Sequence, residues 1–77
     1  MDSAKPPLNL CGSAVRRLRV QHDWTQAALS AKCQIAGLDF SRDVIARIEG
    51  RTRALRDTEL AILARVFRVP VGELFPR

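Results

Sequence analysis

An all-α fold, a compact bundle of five short helices, is what this sequence predicts, and three observations carry the prediction. Apolar residues recur at three- and four-residue intervals in separate windows, the period of a helix with one buried face. Residues suited to begin a helix, Asn9, Thr25, Ser41 and Asp57, stand before those windows. No stretch alternates apolar and polar residues as a half-buried strand does, and no internal repeat is visible.

Residues 1–8, with a Pro6-Pro7 step, read as a flexible N-terminal arm, and residues 9–77 as one domain. Asn9 caps a first helix over Leu10–His22, whose inward positions are Ala14, Val15, Leu18 and Cys11. Asp23-Trp24 is a short connector, with Trp24 folded onto the core. Thr25 caps a second helix over Gln26–Ile35, which buries Ala28, Leu29, the stem of Lys32 and Cys33. Gly37 fits the left-handed position after that helix, and Leu38 and Phe40 anchor the linker that follows. Ser41 caps a third helix, Arg42–Glu49, which Gly50 ends. After a basic loop, Asp57 opens a fourth helix over Thr58–Phe67, with Leu60, Leu63, Ala64 and Phe67 inward. Pro70 stops it. Val71–Phe75 forms a short last helix or turn, with Leu74 and Phe75 closing the bundle.

The 77 residues leave room for one economical core. At 47% hydrophobic and 27% charged, with clear apolar periodicity, the chain is not disordered. Thirteen basic residues against eight acidic ones give a net charge of +5 and a pI near 10.6, the electrostatic footprint of a polyanion binder. Cys11 and Cys33 form no CxxC pair and make no familiar metal site with His22, so no metal or other cofactor is expected. The N-terminus has no apolar run of signal-peptide type and no window reaches ~18 continuous apolar residues, so no membrane partner and a cytoplasmic location are expected. Catalysis finds no support: there is no Ser/His/Asp arrangement, no glycine-rich phosphate loop and no usefully spaced carboxylate pair.

The informative stretch is Trp24-Thr25-Gln26-Ala27-Ala28-Leu29, answered by Ser41-Arg42-Asp43-Val44-Ile45-Ala46-Arg47-Ile48-Glu49-Gly50. These are two short capped helices joined by a turn, the second with arginines outward and isoleucines inward. With Arg19, Arg53, Asp57-x-Glu59-Leu60 and Val69-x-Val71-x-x-Leu74-Phe75, they resemble the Xre/Cro-type helix-turn-helix family, whose fold is that of the lambda repressor's DNA-binding domain. The resemblance runs from about Leu10 to Phe75. The interval from Thr25 to Glu49 is longer than the compact family pattern, the excess falling around Gln34–Phe40, so either helix two or the turn must lengthen. The family's Glu-x-Gly closure reads Glu49-Gly50-Arg51, which moves the expected left-handed residue one place early.

The resemblance implies a sequence-specific transcriptional regulator with helix three in the major groove of double-stranded DNA. Arg42 and Arg47 would fork onto guanine O6 and N7, Asp43 would accept from a cytosine amino group, and Ala46 or an edge of Val44 would touch a thymine methyl. A structural alternative for Asp43 is an i,i+4 pair with Arg47, worth ~0.2–0.5 kcal/mol. Thr25 and Gln26 would meet a phosphate at the start of helix two. Residues 42–56 hold five arginines against Asp43 and Glu49, a local +3, and Arg51 and Arg53 are the phosphate candidates there. Arg19 and Glu49 would form a structural ion pair between helices one and three. Such domains bind as two-fold pairs, so a homodimer is expected, through Leu74, Phe75, Val71 or the end of helix four. The rival reading is an antitoxin-like or other protein-interaction module that uses the same bundle to dock a polypeptide.

Overall fold

A computed structural model describes residues 6–76. It contains four α-helices, α1 (Gly12–Gln21), α2 (Gln26–Ile35), α3 (Arg42–Glu49) and α4 (Asp57–Phe67), followed by one 3-10 turn over Val71–Leu74. The expected fifth helix is therefore only this turn. Pro70 starts it at φ −62°, and the bonds from the Glu73 amide to the Pro70 carbonyl and from the Phe75 amide to the Gly72 carbonyl span three residues, too tight for an α-helix. No strand occurs among the described residues.

Helix starts follow their caps. The Thr25 hydroxyl accepts from the Ala28 amide at 3.0 Å and the Ser41 hydroxyl from the Val44 amide at 3.2 Å, so α2 and α3 begin where the sequence places them. The first helix starts at Gly12, two residues later than expected. Asn9 Oδ1 accepts from the amides of Cys11 and Gly12, at 3.0 and 2.7 Å, which leaves Leu10 outside the helix and 59% exposed. The fourth starts at Asp57, where Glu59 Oε1 accepts from the Arg56 amide at 2.9 Å.

Every helix ends in the same way, with a left-handed residue whose amide and the next one bond back to the last turn. Gly37 (φ 97°) does this for α2, as expected. The other three left-handed residues carry side chains: Asp23 (φ 60°), Arg51 (φ 61°) and Arg68 (φ 59°). The expectation that Gly50 ends α3 in this conformation is overturned. Gly50 is helical at φ −79°, and the bonds from the Arg51 amide to the Ile48 carbonyl and from the Thr52 amide to the Arg47 carbonyl make Arg51 the left-handed residue.

The core is built from Val15, Leu18, Leu29, Cys33, Ile45, Ile48, Leu63, Phe67 and Leu74, all buried, with Phe40 from the turn among them. Helix α3 packs on both α1 and α2, and α4 closes the other side against α2 and the 3-10 turn. Leu60 is half-buried, and Phe75 is 39% exposed and does not close the bundle. Lys32 is exposed too, with its ammonium over the Trp24 ring instead of its stem in the core. Burial pushes the Cys33 thiol up to about 11 and raises that of Cys11, so both are small core residues with little thiolate at neutral pH.

The extra residues between the helices of the motif lengthen the turn, while α2 remains ten residues long. Leu38 and Phe40 are buried, and the Phe40 carbonyl accepts from Ser30 Oγ at 2.6 Å and Gln34 Nε2 at 3.3 Å. The long turn is thus stapled back onto α2, which defines where α3 begins.

Candidate nucleic-acid interface

Ile45 and Ile48 anchor α3 while Arg42, Asp43, Ala46 and Arg47 face solvent on its other side, and Val44 is half-buried at the margin. Among the described residues none of the side chains of Arg42, Asp43 and Arg47 has a hydrogen-bond or ion-pair partner, so the i,i+4 pairing of Asp43 with Arg47 does not form. Two cations and a carboxylate are left unsatisfied on a rod of eight residues, about 12 Å long at 1.5 Å per residue. A major groove is about as wide.

A buried network fixes the end of that rod. Arg19 Nε donates to Glu49 Oε2 at 2.6 Å and Nη2 to Oε1 at 3.1 Å, with the two side chains only 13% and 6% exposed. Arg19 Nη1 also donates to the Trp24 carbonyl at 2.8 Å, tying in the residue before the α2 cap. The fork onto Glu49 raises the guanidinium's pKa, against the opposing effect of burial. Gln26 Nε2 joins by donating to Glu49 Oε1 at 3.2 Å. The expected ion pair is therefore present, and it also orients a phosphate candidate. Gln26 and Ala27 stand at the start of α2, where backbone N–H groups have no helical acceptor.

Sequence reasoning missed Asn9 as more than a cap. It is buried, and its Nδ2 donates to the carbonyls of Ile48 at 3.1 Å and Arg53 at 2.7 Å. One carboxamide thus joins the start of α1, the end of α3 and the basic loop. An Asn before an apolar window signals a cap, but no local pattern reveals partners 39 and 44 residues away.

The basic loop separates its arginines. Arg51 is exposed, and among the described residues its guanidinium has no partner. Arg53 is half-buried: Nη1 donates to the Ala54 carbonyl at 2.9 Å, Nη1 and Nη2 each reach Glu59 at 3.3 Å, and the guanidinium lies 4.8 Å from the Phe40 ring centroid. Burial alone would raise the Glu59 carboxyl, but the Arg56 amide and the Arg53 guanidinium outweigh it and hold the group below its ordinary value. A depressed carboxylate stabilises the fold above its unfolded pKa, ~4.3, and that contribution is lost as pH falls through the folded value. Acid titration monitored by circular dichroism should accordingly show Glu59→Gln less stable than the parent at pH 7, with the gap narrowing below about pH 4. A gap that stays constant into acid would contradict this.

A helix-turn-helix family model matches residues 15–74, four-fifths of the chain, including all of α2, the turn and α3. The chain belongs to the Xre/lambda-repressor-like helix-turn-helix family. Its fold is similar to the crystal structure of the DNA-binding domain of BldD, with a TM-score of 0.75 and 29% identity over 90% of this chain and 93% of that one. No curated protein matches it. In helix-turn-helix folds the second helix of the motif is the one presented to a partner, and α3 holds that place in the matched region. None of the described helices is long and apolar enough to cross a membrane, and no group of three potential metal ligands occurs among the described residues.

Proposed function

We propose that this chain is a sequence-specific, double-stranded-DNA-binding transcriptional regulator that places α3 in the major groove. One observation carries the reading: α3 buries its isoleucines completely while Arg42, Asp43 and Arg47 stand exposed and unpartnered. The similarity to a domain described as DNA-binding, and the net charge of +5, support it. Arg42 and Arg47 take guanine edges, Asp43 a cytosine amino group, and Ala46 with the margin of Val44 a thymine methyl. Thr25 and Gln26 meet a phosphate at the start of α2, with Glu49 holding the Gln26 carboxamide in place. In the following loop Arg51 is exposed, with no side-chain partner among the described residues, and is available to a phosphate. Arg53 offers a phosphate only the N–H groups that Glu59 and Ala54 leave open. The protein acts without catalysis, in the cytoplasm, as a homodimer on half-sites about one turn (~34 Å) apart. Exposed Val71 and Phe75 supply the contact; Leu74 is fully buried and unavailable.

Selection of bound duplexes from a random pool tests this reading. A two-fold-symmetric consensus is the expected outcome; no enrichment, with a single stoichiometric polypeptide captured instead, would move the assignment to a protein-docking module. The arginine roles separate on the selected duplex. Arg47→Ala should flatten discrimination among base variants, whereas Arg51→Gly should weaken all sequences alike and lower the salt slope by about one. Arg51→Gly also relieves a left-handed non-glycine residue, so its Tm should hold or rise, by up to about 1 kcal/mol of stability. Identical binding profiles for the two variants would defeat the division of roles.

A further inference from the structure

A cleft of about 540 Å³ opens between the end of α1, the back of α2 and the end of α4, lined by His22, Trp24, Lys32, Arg65, Val66 and Arg68. None of these residues lies on α3 or the basic loop, so the proposed reading of DNA leaves the cleft unused. Its volume is that of a small-molecule site. Its floor is aromatic: the His22 and Trp24 rings stack with centroids 4.2 Å apart, backed by the buried Phe67 ring of the core, 5.8 Å from Trp24. Its rim is cationic. Lys32, Arg65 and Arg68 are exposed, and among the described residues none is paired with a carboxylate. Lys32 instead holds its ammonium 4.7 Å from the Trp24 ring centroid, a weak attraction at an exposed position. Asp23, the acid beside the stack, forms no ion pair with them.

We propose that this cleft binds a small phosphate monoester with an aromatic or apolar body. The phosphate is held by Arg65, Arg68 and Lys32, and the body covers the His22–Trp24 stack and Val66. Three cations without a carboxylate partner among the described residues border one apolar floor, and a guanidinium gives a phosphate oxygen geometrically matched donors. The site is also wired to the face described above. The Trp24 carbonyl accepts from Arg19, which grips Glu49 at the end of α3, and Thr25 and Gln26 follow Trp24 directly. Drawing Lys32 off the indole toward a phosphate therefore acts on the residue that directly precedes the α2 cap.

Trp24 is the only tryptophan and the chain has no tyrosine, so indole emission reports on the surroundings of this cleft, and the cleft variants below tie the response to it. The test titrates the full chain with adenosine monophosphate, followed by Trp24 emission and calorimetry, with adenosine and matched potassium chloride as controls. A saturable response to the monophosphate only is expected. Affinity should fall about tenfold or more in Arg65→Gln/Arg68→Gln and in Lys32→Gln, because charge-assisted hydrogen bonds are lost, and stay unchanged in Arg47→Ala. A response reproduced by adenosine or by salt would overturn the proposal, as would Lys32→Gln, or a double variant with wild-type circular dichroism, binding as the parent does. A duplex titration separates the sources of phosphate. The variants should bind duplex as the parent does, and selective loss of duplex binding would assign the cleft to a nucleic-acid backbone and overturn the small-ligand proposal.

Discussion

Glu49→Ala is expected to cost about 3–5 kcal/mol of stability, because it leaves the Arg19 guanidinium buried without its carboxylate. The Arg19 side chain is 13% exposed, and its guanidinium keeps only the Trp24 carbonyl as an acceptor among the described residues. A neutral hydrogen bond of ordinary strength, ~1 kcal/mol, cannot offset a stranded charge of that kind. In a domain of this size each kcal/mol moves Tm by roughly 4–8 °C, so the thermal transition should fall by well over about 10 °C. The same substitution frees Gln26, which shares Glu49 Oε1, and so loosens the start of α2. Glu49→Gln, which keeps an acceptor, should fall less far. Thermal melts of the three proteins decide the matter: an alanine variant melting within about 2 °C of the parent would show the Arg19 pair to be dispensable.

Gly12→Ala separates local preference from tertiary constraint. Gly12 is the first residue of α1, where intrinsic propensity favours alanine over glycine by about 1 kcal/mol. Packing argues the opposite. A Cβ at Gly12 would collide with the Ile48 carbonyl oxygen and would lie 3.0 Å from that of Glu49 and 2.7 Å from Arg51 Cγ. The Arg51 stem can swing away, but the two carbonyls are backbone at the end of α3. Relief requires α1 to withdraw, which breaks the Asn9 bonds to Ile48 and Arg53 as well. Overpacking of a core contact costs about 1–3 kcal/mol, and the lost carboxamide bonds add to it, so the net change is a marked destabilisation. Denaturant titration should show a lower midpoint for Gly12→Ala. A midpoint raised above that of the parent would mean that α1 and α3 do not approach as described.

The pattern of success and failure in the sequence follows from what each signal encodes. The helices α2 and α3 begin and end where Thr25, Ser41, Gly37 and the apolar spacing put them, because caps and periodicity are local. The exposed set on α3 was equally legible, since two fully buried isoleucines define the opposite face. The left-handed residue after α3 was misplaced because glycine is the usual occupant, yet the bonding pattern puts that conformation on Arg51 and leaves Gly50 helical. Gly12 and the bridging role of Asn9 were hidden altogether: both depend on the approach of α1 to α3. Arg53 looked like a free cation in a basic run, but Glu59, six residues on, and Phe40 hold it against the bundle. The long turn could not be apportioned from spacing alone, since Ser30 is buried and aimed at Phe40 only once the helices are packed.

In the proposed function the exposed side of α3, with the start of α2 and the loop after α3, is the surface that meets a duplex. Amide chemical shifts followed by NMR during titration with the selected duplex test it most directly. The largest changes should fall at residues 25–28 and 42–53, and Arg47→Ala should remove the changes specific to the consensus sequence. Perturbation centred on α4 and the 3-10 turn, with Arg42 to Arg47 unmoved, would contradict it.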